Sequence, residues 1–187
     1  MDQFLRDGSN HRTDQYGGSI ENRARLLLEV VDAISADWAP ERIGVRVSPV
    51  SREKSMTDSD PVALFSHVAH QLSRRRIAYM HVLEGLEGSS RHVPGMPIVA
   101  PHIRRAFDGP LVLNAGYTRE TAERAIANDA ADAIAFGTAW LANPDLLQRW
   151  ELAAPLNVDD PTTWYTHGEE GYTDYPTLAD AVAAAKL

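Results

Sequence analysis

The chain has 187 residues, of which 44% are hydrophobic and 24% charged, with a net charge of -8. This size fits one domain, and the negative charge disfavours nucleic acid or an anionic membrane as a main partner. The absence of cysteine excludes disulfides and thiolate chemistry. The sequence has no apolar run of the roughly 18 residues that cross a bilayer and no signal-peptide pattern, so we take the cytoplasm as its default location.

The first part of the chain alternates amphipathic helices with short β-rich segments, which predicts parallel βα units. Ser19 is a candidate N-cap for a helix whose apolar positions follow the 3.6-residue period as far as Ile34. Residues 43–48 form the first predicted strand, with three apolar side chains on one face. Asp60, followed by a proline, predicts the start of the next helix.

The second part continues the same alternation. Three more strands are predicted, at residues 77–83, 111–114 and 133–136. A helix is expected through Ile103, another after a cap at Thr118, and a third opened by Asn143 and the proline that follows it. From about residue 155 the chain is expected to be irregular, until a short helix near residues 178–185.

Arg46 is the first candidate for function. Its neighbours Val45 and Val47 are expected to pack against helices, so the alternation along a strand turns Arg46 to the opposite, inner face of the sheet. Active sites of α/β barrels lie at the carboxyl ends of the strands, where Arg46 is predicted. A guanidinium there needs an anionic partner, which either a local carboxylate or a bound anionic ligand supplies.

Two glycine loops form a second candidate site. Gly116 and Gly137 each follow a predicted strand and precede a helix or turn. Backbone N–H groups at such positions, together with the dipole of a following helix, can bind a phosphate, as loops after the last two strands of α/β barrels do. A glycine after a strand is also a common turn device, and from the spacing alone both interpretations stay open.

The histidines give no pattern of metal ligands. His67 and His70 are three residues apart on a predicted helix, without a further ligand at suitable spacing, and we interpret them as a solvated face. His81, on the second predicted strand, is interpreted as a core histidine with satisfied hydrogen bonds. We therefore predict no metal site.

Several long segments resemble the old yellow enzyme family, FMN-dependent ene-reductases built on an eight-stranded α/β (TIM) barrel. The resemblance is carried by residues 4–23 (FLRDGSNHRTDQYGGSIENR), 43–49 (IGVRVSP), 135–145 (AFGTAWLANPD) and 164–176 (WYTHGEEGYTDYP). It extends over nearly the whole chain and implies strands 5–8, the C-terminal half of the barrel. Residues 1–187 are then one half-barrel domain with an irregular C-terminal segment.

The resemblance also implies roles for particular residues. Arg46 stabilises the reduced flavin, and Trp164 and Tyr165 form an aromatic pair at the flavin edge and the substrate cavity. Four residues of the glycine loops hold the FMN phosphate: Gly116, Tyr117, Gly137 and Thr138. The family usually has arginine where this chain has Thr138, a loss that costs about 1.5–3 kcal/mol of phosphate binding.

The implied reaction moves a hydride from NADH or NADPH to FMN and then to an activated alkene. In the family, the His/Asn or His/His pair that anchors the substrate and the tyrosine that donates the proton lie upstream of this sequence. We therefore expect either a part of an ene-reductase that works with a complementary N-terminal half-barrel, or a non-catalytic half-barrel that self-associates and binds phosphate weakly. Two open strand edges and an apolar inner face are the expected reason to associate.

Overall fold

The structure, a computed structural model, describes residues 1–51, 56–89 and 91–180. The chain divides into two compact units, residues 1–135 and 136–187. Within the described ranges, no helix is long and apolar enough to cross a membrane.

After a short first helix that was not predicted, the first unit alternates helices and strands in the predicted order. Its helices and strands are α1 (Asp2–Leu5), α2 (Ile20–Ser35), β1 (Gly44–Val47), α3 (Pro61–Arg74), β2 (Tyr79–Leu83), α4 (Ala100–Ala106), β3 (Leu111–Asn114), α5 (Arg119–Ala127) and β4 (Ala133–Ala135). The four strands form one parallel sheet in the order β1-β2-β3-β4. Parallel strands joined by helices are the repeating feature of a β/α barrel, and the described residues contain four such strands.

The helices of this unit begin where the sequence predicts. The Ser19 side chain accepts a hydrogen bond from the Asn22 amide at 3.3 Å, and Asp60 accepts one from the Ala63 amide at 2.9 Å. Thr118 and Thr121 form a reciprocal capping box at the start of α5. All three predicted caps are confirmed, because each supplies an acceptor to an amide that has no partner within the first helical turn.

One face of the sheet packs against the helices and forms the core. On the first strand, the predicted apolar face is confirmed, since Val45 and Val47 are 7% and 2% exposed. The other strands contribute buried side chains at alternate positions: Met80, Val82, Leu111 and Leu113. α3 contributes fully buried side chains to the same core, among them Leu64, Phe65 and Leu72.

The opposite face of the sheet carries polar as well as apolar side chains. Arg46 is exposed there, and His81 and Asn114 are half-buried at alternate positions on neighbouring strands. Leu83 and Val112 lie on the same face. The expectation of an apolar inner face is therefore wrong, because polar groups occupy it toward the carboxyl ends of the strands.

The segment before α2 is held by its own polar side chains. The Asn10 side-chain amide donates to the carbonyls of Phe4 at 2.6 Å and Tyr16 at 2.7 Å. A side chain at Gly17 would collide with the carbonyl of Arg12, so the turn requires glycine. This part of the family-like segment is structural.

The second unit contains α6 (Thr138–Ala142), α7 (Leu146–Glu151) and a 3-10 turn at Pro161–Thr163. The helix expected at Asn143 starts three residues later, and α6 was not predicted from the sequence. The guanidinium of Arg149, 3% exposed, holds the irregular segment by donating to the carbonyls of Pro155 and Pro176, both at 2.7 Å. Most of the helix predicted near 178–185 lies outside the described residues.

Candidate functional site

Three polar side chains lie together on the face of the sheet opposite the core, here called the open face: Arg46, His81 and Asn114. They lie toward the carboxyl ends of the strands. Arg46 and His81 are register partners on β1 and β2. An Arg46 terminal nitrogen (Nη2) donates to the Asn114 side-chain oxygen at 3.4 Å, and the Asn114 amide donates to the Ala135 carbonyl at 2.6 Å. The sequence predicted the position of Arg46 on this face, whereas its contact with Asn114 was not predicted.

The positive charge of Arg46 is not neutralised within the described residues. The guanidinium is exposed, and its hydrogen bond to Asn114 is long and uncharged. No carboxylate among the described residues pairs with it. Within the described ranges, neither of the two expected partners is present, and an anionic ligand suits the guanidinium.

His81 occupies an environment different from the expected one. It lies on the open face, and its buried Nε2 atom has no hydrogen-bond partner among the described residues. Burial, followed by the nearby charge of Arg46, lowers the pKa of His81 below its usual 6.5. The interpretation as a satisfied core histidine is therefore wrong. The sequence contained a sign of this, because side chains alternate along a strand and both neighbours, Met80 and Val82, are apolar. When the neighbours face the core, His81 faces the other side.

The first glycine loop leaves β3 through two residues with positive φ. Ala115 has φ 93° and Gly116 has φ 82°, values that turn the chain sharply after the carboxyl end of β3. The loop between β2 and α4 covers this turn, and a side chain at Gly116 would approach Cβ of Ser89 to 2.5 Å. Tyr117 is half-buried, and burial, followed by the charge of Glu84, raises its pKa.

The second glycine loop lies in the second unit, directly before α6. Gly137 is the N-cap residue of that helix, and Thr138 is its first residue. A Cβ atom added to Gly137 would meet nothing within 4 Å, so the backbone there is open to a ligand.

Trp164 and Tyr165 follow the 3-10 turn of the second unit and differ in their surroundings. Trp164 is half-buried, and its indole nitrogen has no hydrogen-bond partner in the ranges that the structure covers. Tyr165 is 88% exposed, and its φ of 61° is rarely adopted by a residue other than glycine. Its amide donates to the Tyr172 hydroxyl oxygen at 2.7 Å, which holds this conformation.

Metal ligands do not assemble in the described part of the chain, where no group of three or more His, Asp and Glu side chains is placed to hold an ion. His67 and His70 lie on α3, as the sequence predicted.

The fold and the site define a β/α-barrel protein whose sheet presents a cation at its carboxyl edge. Residues 1–157 match the NADH:flavin oxidoreductase / NADH oxidase family, and the chain belongs to this family. The resemblance found in the sequence is thereby confirmed.

Individual relatives agree with this assignment. The chain is 43% identical over 183 residues to a probable flavin mononucleotide-dependent alkene reductase of Leishmania infantum, covering 95% of this chain and 47% of the relative. An old yellow enzyme homologue from Zymomonas mobilis superposes with a TM-score of 0.90 at 44% identity, over 94% of this chain and 49% of the other. Morphinone reductase gives a TM-score of 0.85 at 43% identity, over 96% and 48%.

The chain thus spans about half the length of the curated relatives and solved structures it matches. Four sequential parallel strands that superpose on about half of these structures confirm the predicted fold class, the half of a (β/α)8 barrel.

Proposed function

We propose that this chain supplies the flavin-tuning half of an FMN-dependent oxidoreductase that reduces activated alkenes with NADH or NADPH. The observation that carries the proposal is the exposed guanidinium of Arg46, without a carboxylate partner in the described ranges, in a chain of this flavoprotein family. The Leishmania relative is named as a probable flavin mononucleotide-dependent alkene reductase, and this name supports both the cofactor and the class of substrate. A solved structure of morphinone reductase is a complex with tetrahydroNAD, which supports the nicotinamide reductant. A cytoplasmic location is part of the proposal.

The residues of the site fit FMN in charge and shape. An exposed guanidinium without a carboxylate partner among the described residues suits the edge of a flavin that becomes anionic on reduction. The open backbone at Gly137 leaves space for a phosphate beside the start of α6. When bound, FMN supplies the hydride chemistry, and the protein supplies position and electrostatics.

Each residue then has a defined task. Arg46 would stabilise the negative charge of the reduced flavin, and Asn114 accepts a hydrogen bond from it. The resemblance assigns the phosphate to the backbone amides of Gly116, Tyr117, Gly137 and Thr138, and the Thr138 hydroxyl would add an uncharged donor. It also assigns Trp164 and Tyr165, as an aromatic pair, to the flavin edge and the substrate. The resemblance places the substrate-anchoring pair and the proton-donor tyrosine in the other half of the barrel.

A reconstitution experiment tests the proposal. The purified chain, alone and mixed with the first half-barrel of a related ene-reductase, is incubated with FMN, and free flavin is removed by gel filtration. We expect the mixture to retain the visible flavin band and to oxidise NADH or NADPH when an activated alkene is added. A mixture that forms a stable complex and stays colourless would contradict the proposed function. A chain that retains FMN by itself would instead show that self-pairing completes the cofactor site.

A further inference from the structure

A cavity lies in the first unit, on the face of the sheet that packs against the helices. It has a volume of about 380 Å³ and lies between α4, the loop that precedes it and the turn after α5. Leu113 forms part of its wall, whereas the next residue, Asn114, contacts Arg46 on the opposite face. Because successive side chains of a strand point to opposite faces, this cavity is separate from the proposed flavin face.

The wall of the cavity is mainly apolar and partly uncovered. Leu86, Ile98, Pro101 and Ala130 line it together with Leu113. Ile98 is 70% exposed, so this part of the apolar wall is in contact with solvent. The volume is within the range of about 300–1,000 Å³ typical of small-molecule sites.

The described Glu and Arg side chains that line the cavity have a net negative charge, and the imidazole of His92 also lines it. Arg104 is neutralised by Asp132, with an N–O distance of 2.5 Å. Glu84 and Glu87 also line the cavity, and neither forms an ion pair with another described residue.

The Glu84 carboxylate keeps hydrogen-bonding capacity. Its oxygens accept the amides of Val99 at 2.7 Å and Ala100 at 2.9 Å, one amide each. A carboxylate oxygen has two lone pairs, so each oxygen can accept one more donor. Burial raises the pKa of Glu84, and the amides of Val99 and Ala100 oppose this shift.

We propose that this cavity is a binding site for a small apolar amine, a ring of one or two cycles that carries a single ammonium group. The ring fills the apolar wall between Ile98 and Leu113, and the ammonium group donates to Glu84. Tyr117, which is also a residue of the proposed phosphate site, lines this cavity. The proposal does not depend on flavin binding, because the ring and the ammonium group contact other residues.

The test compares three ligands that share a ring and differ in charge: 2-phenylethylamine, 2-phenylethanol and phenylacetate. Binding to the full chain is measured by titration, following chemical shifts of the backbone amides. We expect shifts to concentrate around the cavity and the amine to bind at least about tenfold more tightly than the alcohol, with phenylacetate weakest. Equal affinities for the amine and the alcohol, or no binding of the amine at millimolar concentration, would overturn the proposal.

Two variants with a matched control locate the site. Ala130→Leu places a larger side chain at the cavity wall and is expected to reduce amine affinity at least about fivefold. Ala127→Leu, on an exposed position of α5 that does not line the cavity, should leave it unchanged. Glu87→Gln should weaken the amine severalfold and leave the alcohol unaffected. Loss of amine binding in Ala127→Leu but not in Ala130→Leu would contradict the assignment, whatever the outcome of FMN reconstitution.

Discussion

The charge of Arg46 gives a direct test of the flavin role. In the reconstituted complex, Arg46→Ala should weaken FMN binding about ten- to a hundredfold, because a charge-assisted hydrogen bond to the cofactor is lost. The far-ultraviolet spectrum should not change, since the side chain is exposed. FMN affinity is measured by the quenching of flavin fluorescence. Arg74→Ala, an exposed arginine at the end of α3, is the control, and the same loss in both variants would show that Arg46 has no specific role.

Thr138 offers a test in the opposite direction. Thr138→Arg adds a charged donor at the first residue of α6, next to the open backbone of Gly137. We expect FMN affinity in the reconstituted complex to rise about tenfold. Riboflavin, which lacks the phosphate, should bind the parent and the variant equally. An equal gain in riboflavin affinity would mean that the new arginine does not act on the phosphate.

The lowered pKa of His81 predicts a pH dependence of stability. The folded protein holds this histidine neutral where the unfolded chain, with a pKa near 6.5, begins to bind a proton. Above that value both states are neutral, and as the pH falls below it the unfolded state takes up more protons, so the free energy of unfolding decreases. Urea unfolding between about pH 7.5 and pH 6 should show this decrease in the parent and less of it in His81→Gln. His70→Gln, an exposed change on α3, should behave like the parent.

At the scale of elements, Arg6 joins α1 to the loop after β1. Its side chain is 1% exposed and donates to the carbonyls of Ser48, Ser51 and Met56, the last two at 2.6 and 3.2 Å. Asp2, at 3.5 Å, is its ion-pair partner. One buried guanidinium therefore holds three carbonyls that follow the strand of Arg46, those of Ser48, Ser51 and Met56.

We expect Arg6→Met to lower the free energy of unfolding by about 3–5 kcal/mol, since three carbonyls and the carboxylate of Asp2 lose their partner at once. Urea denaturation of the purified chain measures the change. Arg124→Met, an exposed substitution at the end of α5, should stay within about 0.5 kcal/mol of the parent. A similarly small effect of Arg6→Met would mean that the contacts of the Arg6 guanidinium contribute little to stability.

The secondary structure of the first unit could be predicted because its signals are local. Ser19, Asp60 and Thr118 each accept from an amide three residues away, and the period of two along β1 fixes its buried face within four residues. The second unit was predicted less well. Its helices have five and six residues, too short for a clear period, and its shape depends on contacts of Arg149 with carbonyls up to 27 residues away.

For the whole molecule, the strand order leaves β1 and β4 at the two ends of the described sheet. Such strands expose unpaired backbone groups and favour pairing with another chain. We expect a one-to-one complex with a complementary half-barrel and a Tm that rises with the concentration of the added half. Sedimentation and thermal unfolding test this. A homo-oligomer that does not bind the added half-barrel would favour the non-catalytic alternative.

The sequence alone determined the family, the βα order, the helix caps and the position of Arg46 on the face opposite the core. These features depend on residues close in the chain or on long segments that resemble a known family. The tertiary structure decided that Asn114, 68 residues away, contacts Arg46, that His81 shares their face, and that Arg6 is buried. Such contacts follow from strand register and loop packing, which bring together residues whose spacing in the sequence carries no period.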